Sequence, residues 1–153
     1  MFEPIPLNLP PYPLRISTDG KKHYIFDELR RKHLVWTPEE WVRQHWIHHL
    51  IQVKKYPKAL IKTEGGLIMN EMQRRSDLII SDREGRMILL AEFKRPSMVI
   101  GHAVFDQISR YHSVYKIPLL MVSNGLQHHY WEVDADAGKY RFLKDLPDYE
   151  PPV

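Results

Sequence analysis

Residues 87–94 read Met-Ile-Leu-Leu-Ala-Glu-Phe-Lys, and Pro96 follows two positions later. An apolar run this short cannot span a bilayer, and Pro96 stops it from continuing as a strand. Such a run fits a strand with apolar residues on both faces, in a sheet with helices packed on it. Strand side chains alternate between faces. Glu92 and Lys94 therefore share a face with Leu90 and Ile88, while Leu89, Ala91 and Phe93 occupy the other. A carboxylate and an ammonium at the end of an apolar strand are costly to bury unless they are paired or bind a metal.

The flanking segments supply the other layers. Thr37-Pro38-Glu39-Glu40 offers an N-cap, a proline at the first helical position and a capping-box glutamate. Val42, Trp46, Leu50 and Val53, widened by Trp41, Ile47 and Ile51, make the apolar stripe of a helix that ends before Pro57. Strands are expected at 59–63, 67–70, 77–81, 118–123 and 129–133, with Gly65-Gly66 and Asn124-Gly125 as breaks. A second helix is expected from Gly101 to Tyr115, with Ala103, Gln107 and Tyr111 along one side. Five of the 12 prolines fall within the first 13 residues. Residues 1–21 are therefore expected to form an extended arm, either packed across the body or mobile. A single domain over 22–149 and a tail at 150–153 complete the division.

Asp82-Arg83-Glu84-Gly85 reads as a hairpin turn. It would set the strand that starts at Asp77 beside the strand that carries Glu92. The two carboxylates can then converge, with the Phe93 carbonyl nearby. Hard oxygen ligands of this kind suit Mg²⁺ or Mn²⁺, with waters completing the octahedron. Lys94 adds a compact cation for the charge that develops when a phosphodiester is attacked.

Asp77, Glu92-x-Lys94 and Gln107-x-x-x-Tyr111 resemble the PD-(D/E)xK superfamily, with the last element similar to its RecB-like branch. The wider set comprises Thr37 to Gln44, Tyr56-Pro57, Arg75-Ser76-Asp77, Glu92 to Pro96, Gln107 to Tyr111 and Ser123-Asn124-Gly125. It resembles the N-terminal nuclease domain of type I restriction enzyme R proteins, over about Phe26 to Tyr149. The resemblance implies an α/β, restriction-endonuclease-like mixed β-sheet flanked by helices. It also implies a Mg²⁺-dependent (or Mn²⁺-dependent) DNA nuclease. Asp77 and Glu92 would hold the metal and Lys94 would be catalytic. Gln107 and Tyr111 would position DNA backbone or the lysine, and Glu40 would be an auxiliary ligand. Ser76 departs from the proline of the superfamily's name. The sequence has no Gly-x-x-x-x-Gly-Lys-Ser/Thr loop, so ATP-driven translocation is not inferred for this polypeptide.

Other readings stand beside this one. The chain could be a nuclease-fold module that binds DNA or a restriction or repair partner without useful catalysis, or an RNA or nucleotide hydrolase using the same acids. Glu92 and Lys94 could be an exposed pair, Glu40 only a cap, and Glu64 a rival third acid. His45 and His49 have i, i+4 spacing, but Trp46 stands where a zinc protease needs glutamate, so packing or solvent-facing histidines are expected. The chain has no cysteine, which excludes disulfides and thiolate metal sites and fits a reducing compartment. With no signal peptide read at the N-terminus, a cytoplasmic protein is expected. The net charge of +3 permits a polyanion partner without demanding one. DNA and restriction-system or motor subunits are the expected partners. Oligomeric state is left open, a dimer among the options.

Overall fold

Thr37 Oγ1 accepts the Glu40 N–H at 3.0 Å with Pro38 just inside, and helix α1 runs Pro38–Gln52 as the cap predicts. The computed structural model describes residues 4–63, 68–69, 74–75, 77–134 and 136–150, with backbone alone at 68–69, 74–75 and 110–115. Three strands precede the helix: β1 (Ile16–Asp19), β2 (Lys22–Asp27) and β3 (Lys32–Val35), an antiparallel sheet in that order. After it come a 3₁₀ turn (Lys58–Leu60), β4 (Ile61–Thr63), β5 (Ile68–Met69), β6 (Arg74–Arg75), β7 (Leu78–Ser81) and β8 (Met87–Phe93). Helix α2 (His102–Tyr115), β9 (Leu119–Ser123), β10 (His128–Asp134) and β11 (Lys139–Leu143) complete the chain.

The main sheet has six strands in the order β11-β10-β9-β8-β7-β4. β8 and β9 are parallel, joined by α2 as a βαβ crossover, and the other pairs are antiparallel. Alternation sorts the side chains into two cores. Leu78, Ile80, Leu89, Ala91, Phe93, Met121 and Tyr130 pack with Val42, Trp46, Ile47 and Leu50 of α1. Ile79, Leu90, Leu120, Val122, Trp131 and Val133 pack with Ile108 of α2. The result is a mixed α/β layering, with β8 covered on both faces as its sequence requires.

Four local expectations change. Ile88 packs with the α1 core instead of the Leu90 face, because the β7–β8 register slips between Ile80 and Ser81. Val53 lies at the C-cap of α1 and is exposed, outside the apolar stripe. Residues 59–60 belong to the 3₁₀ turn, so the strand expected there begins at Ile61. Finally, β1 lies inside the segment expected to be an extended arm, so the arm proper is residues 4–15.

That arm packs across the body. Leu7 and Leu9 join the α1 core. Asn8 donates its N–H to the Gly125 carbonyl at 2.8 Å, and Trp41 Nε1 donates to the Ile5 carbonyl at 2.8 Å. Gly125 has φ +86°, and a Cβ there would stand 2.7 Å from Leu7 Cδ2 and 3.0 Å from the buried Val42 Cγ2. Gly125→Ala is therefore expected to lower stability by about 1–3 kcal/mol and to make the arm more sensitive to protease. The denaturant midpoint and limited digestion check this.

Candidate active site

The β7–β8 pairing ends at Leu78 opposite Ala91, and the Asp77 side chain extends it. Asp77 Oδ2 accepts the Phe93 N–H at 2.7 Å, which fixes the carboxylate beside Glu92. Glu92 is 3 % exposed and faces the Val122 position of β9. Burial, then the charge of Asp77 and a hydrogen bond with it, push the Glu92 carboxyl up to about 9. Lys94 opposes that rise. The two acids thus meet, and Glu92 holds its proton well above the usual carboxylate range. Glu92 Oε1 is buried without a hydrogen-bond partner among the described residues.

The first turns of α1 form the neighbouring wall. Arg43, almost wholly buried, donates from Nη1 to Glu40 Oε1 at 2.7 Å. Its Nη2 reaches Glu39 Oε1 at 3.1 Å and Asp77 Oδ1 at 3.2 Å. Burial works against the Arg43 charge, but Glu40, Asp77 and Glu39 outweigh it and raise its pKa. Gln44 Nε2 donates to Glu40 Oε2 at 3.1 Å, so both Glu40 oxygens are engaged. Glu39, the other first-turn acid, is also coupled to the cluster. Burial and the Asp77 charge raise its carboxyl, while Arg43 and Lys94 lower it. Half-buried Lys94 donates its backbone N–H to the Ser123 carbonyl at 2.9 Å, which ties the end of β8 to β9.

The structure therefore brings together Asp77, Glu92 and Lys94, with Phe93 holding Asp77 through its N–H. Gln107 lies half-buried on α2, and the described contacts do not tie it to the acids. Tyr111 is on α2, but its side chain lies outside the described part of the structure, as do Ser76 and Glu64. Glu40 stands next to the cluster, directed at Arg43 and Gln44. Sequence reasoning missed Glu39 and Arg43. The signal was the i, i+4 Glu39–Arg43 spacing, together with an arginine set beside Val42 in the apolar stripe. His45 and His49 are packing groups. His45 Nδ1 bonds the Trp41 carbonyl at 2.8 Å, and His49 Nδ1 bonds Tyr12 Oη at 2.7 Å.

The donor set fits a hard divalent cation. It offers two converging carboxylates, one with an unpartnered buried oxygen, and leaves the remaining positions to backbone and water oxygens. Among the described residues, no group of three or more His, Cys, Asp or Glu is arranged to hold a metal.

The raised Glu92 carboxyl has a consequence for stability. Glu92 titrates at about 9 in the folded chain and near 4.3 when unfolded. Between those values the folded state holds the extra proton. Stability in EDTA should therefore fall as pH rises through that window, by at most about 1.4 kcal/mol per pH unit, and be insensitive to this group outside it. Urea midpoints from pH 5 to 8.5 should show the fall, and Glu92→Gln should flatten it.

The family described as Type I restriction enzyme R protein N terminus (HSDR_N) matches residues 38–147. No curated protein matches. Among solved structures, a fragment of a putative HsdR subunit of a type I restriction enzyme from Vibrio vulnificus YJ016 matches at 22% identity and a TM-score of 0.37. The match covers 57% of this chain and 16% of that one, so the chain spans a small part of that protein's length. Among the described residues no helix is long and apolar enough to cross a membrane. The family match takes in α1, the acid-bearing hairpin, α2 and all of β9 to β11, well over half of the sequence, and the chain belongs to the type I restriction enzyme R protein N-terminus family.

Proposed function

We propose that the chain is a divalent-metal-dependent DNA nuclease domain that hydrolyses phosphodiester bonds at Asp77, Glu92 and Lys94. The observation that carries this reading is the meeting of two carboxylates on adjacent strands, one with a buried and unpartnered oxygen, beside an amine. Asp77 and Glu92 would hold Mg²⁺ or Mn²⁺, with the Phe93 carbonyl as a backbone ligand. Bound there, the ion supplies a polarised phosphoryl oxygen and a more acidic water. Asp77, fixed by the Phe93 N–H, keeps its carboxylate aimed without side-chain reorganisation. Glu92 would have to give up its proton for the acids to hold a cation. Lys94 presents positive charge where the phosphoryl group becomes more anionic. Glu39, whose carboxyl feels the charges of Asp77 and Lys94, is a further candidate beside Glu40 for an auxiliary role. Gln107 and Tyr111 carry the DNA-positioning role that the family pattern suggests for them.

DNA as substrate goes with a cytoplasmic site of action and with restriction-system subunits as partners. A second copy would allow both strands to be cut. The activities of a complete R protein are not assigned to this chain.

One observation favours the alternative of a binding module. The guanidinium of Arg43 already neutralises Asp77 and Glu40 without a metal. The test is incubation of the purified chain with linear, circular and single-stranded DNA in Mg²⁺ or Mn²⁺. Cleavage that EDTA abolishes supports the enzyme. DNA binding without cleavage under every condition supports the module.

A further inference from the structure

A basic cleft lies away from the acids, and nothing in the proposed chemistry uses it. Arg15 at the end of the arm, Phe26 on β2, Glu28 and Arg31 on the β2–β3 turn, His48 on α1 and Lys58 on the 3₁₀ turn line a space of about 320 Å³. Arg15, His48 and Lys58 each have a contact within the cleft. The Arg15 guanidinium lies over the Phe26 ring, 5.1 Å from its centroid. Glu28 accepts from His48 Nε2 at 2.9 Å and sits 3.7 Å from Lys58 Nζ. Asp27 staples the turn by accepting the Leu29 and Arg30 N–H groups at 2.9 and 3.1 Å. Arg31 follows with φ +53°, a left-handed conformation that glycine takes more readily.

The charges of these side chains do not cancel. Arg15, Arg31 and Lys58 bring three cations against the single carboxylate of Glu28 among the lining residues. The ring of Phe26 is covered by Arg15, so the cleft offers little to an apolar ligand. Guanidinium forks and an ammonium around an open space suit phosphate oxygens. His48 is eight residues beyond Glu40, which puts the cleft roughly 12 Å further along the helix axis. That is about three or four nucleotides at the rise of one DNA strand.

We propose that this cleft is a phosphate-binding subsite that holds the DNA backbone away from the scissile bond. The identity of the polymer rests on the reading of the acids above; the affinity for phosphate rests on the cleft.

The experiment measures fluorescence anisotropy of labelled duplex and single-stranded oligonucleotides with the whole chain in EDTA, across a salt series. Arg31→Gln with Lys58→Gln is expected to weaken binding at least ~10-fold at 0.1 M salt. It should also reduce the slope of log affinity against log salt by about two. Glu28→Gln is expected to tighten binding several-fold, a change of sign that damage to the fold would not produce. Unchanged affinity and slope in all variants, or no DNA binding by the wild type, overturns the proposal. So does saturable binding of inorganic phosphate, a mononucleotide or an acidic peptide as tight as that of DNA and lost in the double variant, which reassigns the cleft. Binding is read without metal, so the two readings fail separately. A chain that binds through the cleft and never cuts sinks the hydrolytic reading alone. A chain that cuts, with variants that bind like wild type, sinks the subsite alone.

Discussion

Glu92→Gln and Lys94→Ala are each expected to reduce the proposed Mg²⁺-dependent DNA cleavage by at least about a hundred- to a thousand-fold while the protein stays folded. Glutamine keeps the shape of Glu92 but cannot lose a proton, so it offers a cation one neutral oxygen where a charged carboxylate is needed. The same change should not weaken the fold. Glu92 is 3 % exposed at the end of an apolar strand, where a neutral side chain is easier to accommodate than an ionisable one. A variant as stable as wild type but inactive would locate the loss in the chemistry. Lys94 sits half-buried at the end of β8, and its truncation removes a charge without opening the core. Cleavage that survived both substitutions would remove the acids and the amine from the reaction.

Arg43→Leu is the substitution expected to cost the most stability, about 3–5 kcal/mol. Its guanidinium binds Glu40, which is 6 % exposed, at 2.7 Å and Asp77 at 3.2 Å. Without it, Glu40 remains buried with only the Gln44 amide as partner, and Asp77 and Glu39 face each other with less compensation. The double variant Arg43→Leu with Glu40→Leu should regain most of the loss, because a buried pair can be replaced by apolar side chains of similar size. A double-mutant cycle measured by urea unfolding isolates that coupling. Additive effects would show that the pair is not the source of the penalty.

The parts of the fold legible from sequence are those whose local chemistry and tertiary burial agree. The Thr37 cap set the start of α1, and the apolar run 87–93 required a strand covered on both faces. The Asp82 turn placed β7 against β8 and so brought Asp77 to Glu92. The three-stranded sheet went unread because its strands carry too few apolar residues to show a period. In β2, Lys22 to Asp27, only Ile25 and Asp27 are fully covered. β11 was hidden for a related reason. Its residues are almost all exposed, and it exists through pairing with β10 at the sheet edge.

In the site, the order of Asp77, Glu92 and Lys94 could be read because hairpin geometry and strand alternation act over short distances. Arg43 could not be assigned that way. Its contact with Asp77 joins residues 34 positions apart, and helical spacing alone says only which neighbours on α1 it can reach. Glu39 is a similar case: both glutamates sit in the first turn, and the coupling of Glu39 to Asp77 follows from the packing of α1 against the sheet.

The central claim is that Asp77 and Glu92 together bind one divalent cation. Calorimetric titration of the metal-free chain with Mn²⁺ near neutral pH, repeated in buffers of different ionisation enthalpy, tests it most directly. The expected result is a single site per chain that releases a proton on binding, with both the heat and the proton release lost in Asp77→Asn and in Glu92→Gln. The same heat and stoichiometry in wild type and both variants, or no binding by the wild type, would contradict it.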